Sequence, residues 1–286
     1  MGLNIDAARY LISEKERGVI LGKTLTLGRQ AIYIPAEHYG GILEAVGEQL
    51  TEKIYADDLL RGIGTTDLIS MDFSDYEGAQ LIHDANEPIS KELHGAYDTV
   101  IDGGTLEHIF NFPVSIRNCM EFVKTGGRVI LLTPWHNYSG HGFYEFSPEL
   151  LWSIFAEKNG FEVEKMMFVA DGNWFSVKNP AVIKQRIEIR SKSEILLFMT
   201  ARKTATKPIF QEWPQQSDYV AIWTATKSDG SPVYVEPKLK TFLLENVPGL
   251  RCLQRQWNIR RKNHTLKPAN NNGFTQLCSS DQIPPP

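Results

Sequence analysis

Two short apolar runs, each stopping on glycine or other turn residues, constrain this chain more than anything else in it. The first is Tyr97-Asp98-Thr99-Val100-Ile101, which stops on Asp102-Gly103-Gly104-Thr105. The second is Val129-Ile130-Leu131-Leu132-Thr133-Pro134, entered through Thr125-Gly126-Gly127-Arg128. Short apolar runs bounded by turn residues fit strands buried on both faces. The segment between them reads as a helix. Asn111 suits its cap and Pro113 its first turn, where an early amide needs no partner. Gly126-Gly127 is expected to end it in a left-handed terminus. Strand, helix, strand makes a right-handed crossover unit. In sheets built this way ligands sit just beyond the carboxyl ends of the strands. Asp102 to Thr105 lies at one such end, and Pro134 to His141 at the next.

The rest of the chain fits around this unit. Ser147-Pro148-Glu149 starts a helix with a cap, a first-turn proline and an acid, and Asn159-Gly160 ends it. Further strands are expected at 23–27, 67–72, 80–84, 162–169 and 194–201. Helices are expected at 4–17, 35–50 and, briefly, 89–95. Residues 170–190 are expected to cross the top of the sheet, with Asp171 to Phe175 contributing to an acceptor pocket. After Lys203 the composition shifts to Pro208, Pro214 and Gln215-Gln216. Tyr219 to Thr224 alternates like a strand, pairing through a turn at 227–231 with 233–235. A helix at 237–246 and a basic cluster from Arg251 to Lys262 follow. The organisation is a main domain over 1–205, an extension over 206–262, and a tail over 263–286. The tail's polar composition predicts disorder and dispensability for folding.

The run from Tyr97 to His108 resembles the fourth-strand motif of class I S-adenosylmethionine-dependent methyltransferases. Thr125 to Pro134 resembles their turn into strand five. Gly140-His141-Gly142-Phe143-Tyr144-Glu145-Phe146-Ser147-Pro148-Glu149, with Asn159-Gly160-Phe161 further on, is similar to a bacterial subgroup often associated with surface-polysaccharide genes. The resemblance covers roughly residues 20–205 and is specific over 97–160. It implies a Rossmann-like, doubly wound, seven-stranded α/β sheet in the order 3-2-1-4-5-7-6 with strand seven antiparallel. It also implies S-adenosyl-L-methionine as cofactor and methylation, on oxygen, of a small molecule or a sugar or glycan precursor.

The same resemblance places the cofactor over Gly28 and Arg29, Asp72 and Phe73, Asp84 and Ala85, and Asp102, Gly103, Gly104 and Thr105. Asp72 ends a strand where a carboxylate accepts from ribose hydroxyls; capping the following turn is the alternative. Phe73 either stacks on adenine or is core, and Asp84 stands where related enzymes meet the adenine amino group. The turn after the first strand departs from the family. A single glycine, Gly28, is followed by Arg29-Gln30, where an acidic residue and two or three glycines are usual. Arg29 is a candidate partner for the methionyl carboxylate. A decayed site with Arg29 on the surface is the other possibility, leaving a non-catalytic binding module. For an acceptor that must lose a proton, His108 and His141 are candidate bases with Glu107 nearby. No metal-ligand spacing stands out; His136 and His141 are a weak pair.

Composition enters as exclusion. The formal net charge of -4 gives no general attraction to nucleic acid. Cys119, Cys252 and Cys278 form neither a metal motif nor a paired framework, which suits a reducing compartment. No apolar run nears the ~20 residues of a membrane span, and Met1 to Arg17 lacks the apolar core of a signal peptide. A cytoplasmic location is expected. A nicotinamide oxidoreductase is disfavoured, because Gly62-Ile63-Gly64 precedes a strand instead of following one.

Overall fold

In a computed structural model, which describes residues 2–47, 54–189, 191–224 and 273–277, the chain alternates strands and helices. It opens with β1 (Gly2–Leu3), α1 (Ile5–Glu16), β2 (Gly22–Leu27), β3 (Ala31–Ile32), α2 (Ala36–Val46) and α3 (Asp57–Gly62). Then come β4 (Thr65–Asp72), β5 (Leu81–Ile82), β6 (Tyr97–Asp102), α4 (Phe112–Phe122), β7 (Val123–His136) and α5 (Pro148–Ile154). The last elements are β8 (Phe161–Ala170), β9 (Asn173–Val177), α6 (Pro180–Ile183), β10 (Ile195–Lys203), α7 (Ser217–Thr224) and β11 (Phe274–Gln276). Only a 3-10 turn, Lys91–Leu93, stands where the short helix at 89–95 was expected.

Among the described residues, nine strands form one mixed sheet in the order β11-β9-β8-β10-β7-β6-β2-β4-β5. From β5 to β7 all neighbours are parallel. β10 is antiparallel to both β7 and β8. The expected seven strands are thus corrected to nine, because β9 folds back on β8 and β11 pairs with β9.

The extra hairpin has a local cause. Asp171 and Gly172 both take positive φ, 49° and 74°, and Ala170 pairs with Asn173 across them. Asp-Gly in a two-residue loop is a strong hairpin signal, since both central residues must be left-handed. Residues 173–177 therefore do not cross the top of the sheet. Trp174 and Phe175 are buried in the core.

The end of α4 is a second correction. It stops at Phe122, and the chain enters β7 at once, carrying Gly126 and Gly127 inside the strand. A Cβ on Gly127 would run into the Asp98 carbonyl, so glycine there permits close packing against β6. Tyr219 to Thr224 lies in helix α7, not a strand. The supposed hairpin partner at 233–235, the helix at 237–246 and the basic cluster lie outside the described residues. Phe274–Gln276 falls within the tail expected to be disordered, yet forms β11.

Burial alternates along the central strands. Val100, Val129, Leu131, Leu197 and Met199 enter one apolar cluster with α4 and α5. Ile101, Ile130, Leu132 and Phe198 enter a second with α1, α2 and α3. Both faces are therefore covered, which is why these strands read as unbroken apolar runs.

Candidate active site at the carboxyl edge of the sheet

Strand register decides what meets at the site. Leu27 stands opposite both Met71 and Asp102, and Asp72 opposite Ile82. The segments carrying Gly28, Asp72, Asp84 and Gly103 thus leave the sheet along one edge. Gly28, with φ 68°, turns the chain and donates its N–H to Met71 O at 2.7 Å. Gln30 then folds back, its Nε2 donating to the carbonyls of Leu27 and Gly28 at 2.7 and 3.2 Å. Its Oε1 is buried with no partner among the described residues, beside Gly103, where a Cβ would run into it.

At the end of β6 two buried carboxylates come close in sequence. Asp102 is fully buried; one oxygen accepts from Thr105 N at 2.8 Å and Oδ2 has no partner. Glu107 is 1% exposed, with Oε2 unpartnered among the described residues. Burial lifts the Asp102 carboxyl above its ordinary range. Burial first, and then the charge of Asp102, lift Glu107 further. Burial, helped by His141, lowers the His108 imidazole.

His141 arrives from the loop after β7, and the backbone holds that loop in place. Phe143 N and Tyr144 N both donate to Glu107 O, at 2.7 and 3.2 Å. A Cβ on Gly142 would come within 2.8 Å of that same oxygen, so only glycine permits the approach. Tyr144 Oη donates to Phe110 O at 2.7 Å, closing the clasp. His141 Nε2 then lies 3.5 Å from Glu107 Oε1, and the His108 and His141 ring centroids are 5.1 Å apart. Around them opens a cavity of about 280 Å³, lined by Gly103, Gly104, Glu107, His108, Tyr138 and His141, with the N-terminal segment through Asn4 and Ala7 on one side.

The structure therefore gathers Gly103, Gly104, Glu107, His108 and His141 into one cavity. Gly28, Arg29, Asp72, Phe73, Asp84, Ala85, Asp102 and Thr105 are not among its lining residues. Arg29 packs on Tyr55 and pairs with Asp57: its guanidinium lies 3.9 Å from the centre of the Tyr55 ring and 3.0 Å from Asp57. Phe73 is exposed, not core. Asp72 accepts from Phe73 N at 2.7 Å. Asp84 accepts from Asn86 N and Nδ2, which hold its carboxyl below the usual range. Thr105 Oγ1 donates to Leu27 O at 2.6 Å, tying the β6 turn to β2. Gln30 and Tyr138 were missed in the sequence; Gln30's only signal there was a polar residue directly after the Gly28 turn. The approach of His141 to Glu107 and His108 was also not legible, since they lie more than thirty residues apart.

No family model and no curated protein matches this chain. Among solved structures, the N-methyltransferase NodS of Bradyrhizobium japonicum, in complex with S-adenosyl-L-homocysteine, is 12% identical with a TM-score of 0.41, over 70% of this chain and 87% of that one. The 1,6-didemethyltoxoflavin-N1-methyltransferase of Burkholderia thailandensis, with bound S-adenosylhomocysteine, is 15% identical with a TM-score of 0.39, over 69% and 77%. A mutein of the branched-chain polyamine synthase of Thermus thermophilus is 10% identical with a TM-score of 0.39, over 80% and 61%. Likenesses this distant leave the reading of function to the chain's own residues.

Proposed function

We propose that this chain is an S-adenosylmethionine-dependent methyltransferase acting on a hydroxyl of a small molecule or glycan precursor. The observation that carries the reading is the cavity at the end of β6, where two glycines, a buried carboxylate and two imidazoles converge. The motif resemblance over residues 97–160 supports the same conclusion.

The residues present fit the cofactor. Gln30 Oε1 is a buried acceptor without a donor, and the methionyl ammonium would supply one; leaving such an acceptor unmet is costly. Gly103 gives it room. Asp72 stands at the end of β4 to accept from the ribose hydroxyls, its second oxygen having no protein partner among the described residues. Phe73 is exposed beside it, ready to cover the adenine.

When bound, the cofactor supplies a methyl group on a sulfonium, which passes to the acceptor oxygen as the carbon–sulfur bond breaks. The chain's task is to align the acceptor and remove its proton. Alignment supplies much of the rate when the donor is already activated. The clasp of the 140–146 loop on Glu107 holds His141 at the cavity wall, where its imidazole takes the hydroxyl proton. His108 is the second candidate for that role.

Replacing Asp72 with Ala is expected to weaken S-adenosylmethionine binding by about 1.5–3 kcal/mol, the usual worth of hydrogen bonds to a charged group. Calorimetric titration of the folded variant checks this. Unchanged affinity removes Asp72 from the site. A second reading, a binding module without catalysis, is favoured by one observation: Arg29 is engaged by Asp57 and Tyr55, leaving the turn after β2 without its expected charge toward the cofactor. Cofactor binding without turnover on any member of a broad hydroxyl-acceptor panel would select it.

A further inference from the structure

We propose that Glu107, His108 and His141 bind a divalent transition-metal ion, zinc or manganese, at the wall of the cavity, leaving a coordination position open to the acceptor oxygen. One ligating atom from each of the three lies within 4.8 Å of the others. Glu107 Oε1 and His141 Nε2 are 3.5 Å apart. Bonds of about 2.0–2.1 Å in a tetrahedral site put neighbouring donors about 3.3–3.5 Å apart, so this pair already has the required spacing.

Four further features point to a ligand. Glu107 is almost wholly buried, lines the cavity, and its Oε2 has no partner. A lone base needs one imidazole, whereas a metal uses both. No Lys or Arg is among the described residues lining the cavity, so no side-chain cation there competes for the carboxylate. The ligand-bearing segments are also locked to each other through backbone, by the two hydrogen bonds onto Glu107 O, so the site is built before any ion arrives.

Two imidazoles and one carboxylate form the donor set of open zinc sites, with a fourth position for water or substrate. Imidazole donors favour first-row transition metals over magnesium or calcium. An acceptor hydroxyl held at the open position would lose its proton to solvent more readily, and the metal would replace imidazole as the activating group. That role rests on the methyl-transfer reading; the metal site does not.

The test is titration of the metal-stripped full chain with zinc chloride and, separately, manganese chloride, with S-adenosylhomocysteine binding measured on the same sample. One ion per chain is expected for at least one metal. His141→Ala and Glu107→Gln are each expected to weaken it at least about tenfold without loss of circular dichroism. His141 is exposed, so His141→Ala keeps the test valid should Glu107→Gln fail to fold. No saturable binding of either metal, or unchanged affinity in His141→Ala, overturns the proposal. S-adenosylhomocysteine binding together with no saturable metal binding overturns the metal site alone. Site-specific metal binding without S-adenosylhomocysteine supports the metal site and counts against methyl transfer.

Discussion

Replacing His141 with Gln is expected to slow methyl transfer by about 10²–10⁴-fold, the usual worth of a positioned base. In activation free energy this is about 3–5.5 kcal/mol. The expectation follows from the clasp: Gly142 and the amides of Phe143 and Tyr144 press the loop onto the Glu107 carbonyl, placing the imidazole 3.5 Å from the buried carboxylate. The effect is the same whether the imidazole takes the proton itself or holds an ion that makes the hydroxyl lose its proton to solvent more readily. Turnover is read as S-adenosylhomocysteine release, with an acceptor drawn from a panel of sugars and hydroxylated small molecules. Cofactor affinity is expected to stay within about twofold, because His141 is not assigned to the cofactor. Wild-type turnover in the variant would remove His141 from the chemistry.

The second large effect is on stability, and it lies at the far edge of the sheet. Phe274 is 6% exposed, with its ring 5.2 Å from Phe168 and 5.6 Å from Phe175, edge-on to both. Phe168 and Phe175 stack on each other at 4.8 Å. Phe274→Ala uncovers that stack and is expected to cost about 3 kcal/mol, the low end for a buried phenylalanine. The melting temperature should fall by roughly 6–12 °C. Truncation before Gly273 should do at least as much, against the expectation from composition that the tail is dispensable. Denaturant unfolding with an unchanged midpoint would show that β11 contributes nothing.

The contrast between strand and tail explains what could be read in the sequence. β6 and the second half of β7 announce themselves because both their faces are buried, and apolar runs between turn residues have few other uses. β11 is three residues in a polar context, and only its long-range pairing with β9 makes it a strand. The Asp171-Gly172 hairpin was legible in principle, since that dipeptide is a recognised turn signal; the expectation of a crossing segment obscured it. Tyr219 to Thr224 misled because six residues are too few to separate a period of 2 from one of 3.6.

At the carboxyl edge of the sheet, the strand ends were legible and the partners of their residues were not. Asp72 ends β4, and Gly103 and Gly104 follow β6, where the sequence places strand ends. Arg29 was read as facing a ligand, but Asp57 and Tyr55 come from α3 and the segment before it, and nothing in the spacing predicts that pairing. The approach of His141 to Glu107 depends on a glycine contact between two loops, which one-dimensional spacing cannot encode.

The most direct test of the central claim is calorimetric titration of the full chain with S-adenosylmethionine, alongside its demethylated product and NAD. Saturable binding of the first two at one site per chain, with none for NAD, is the predicted result. Absence of binding by both S-adenosylmethionine and S-adenosylhomocysteine to the folded protein would contradict it.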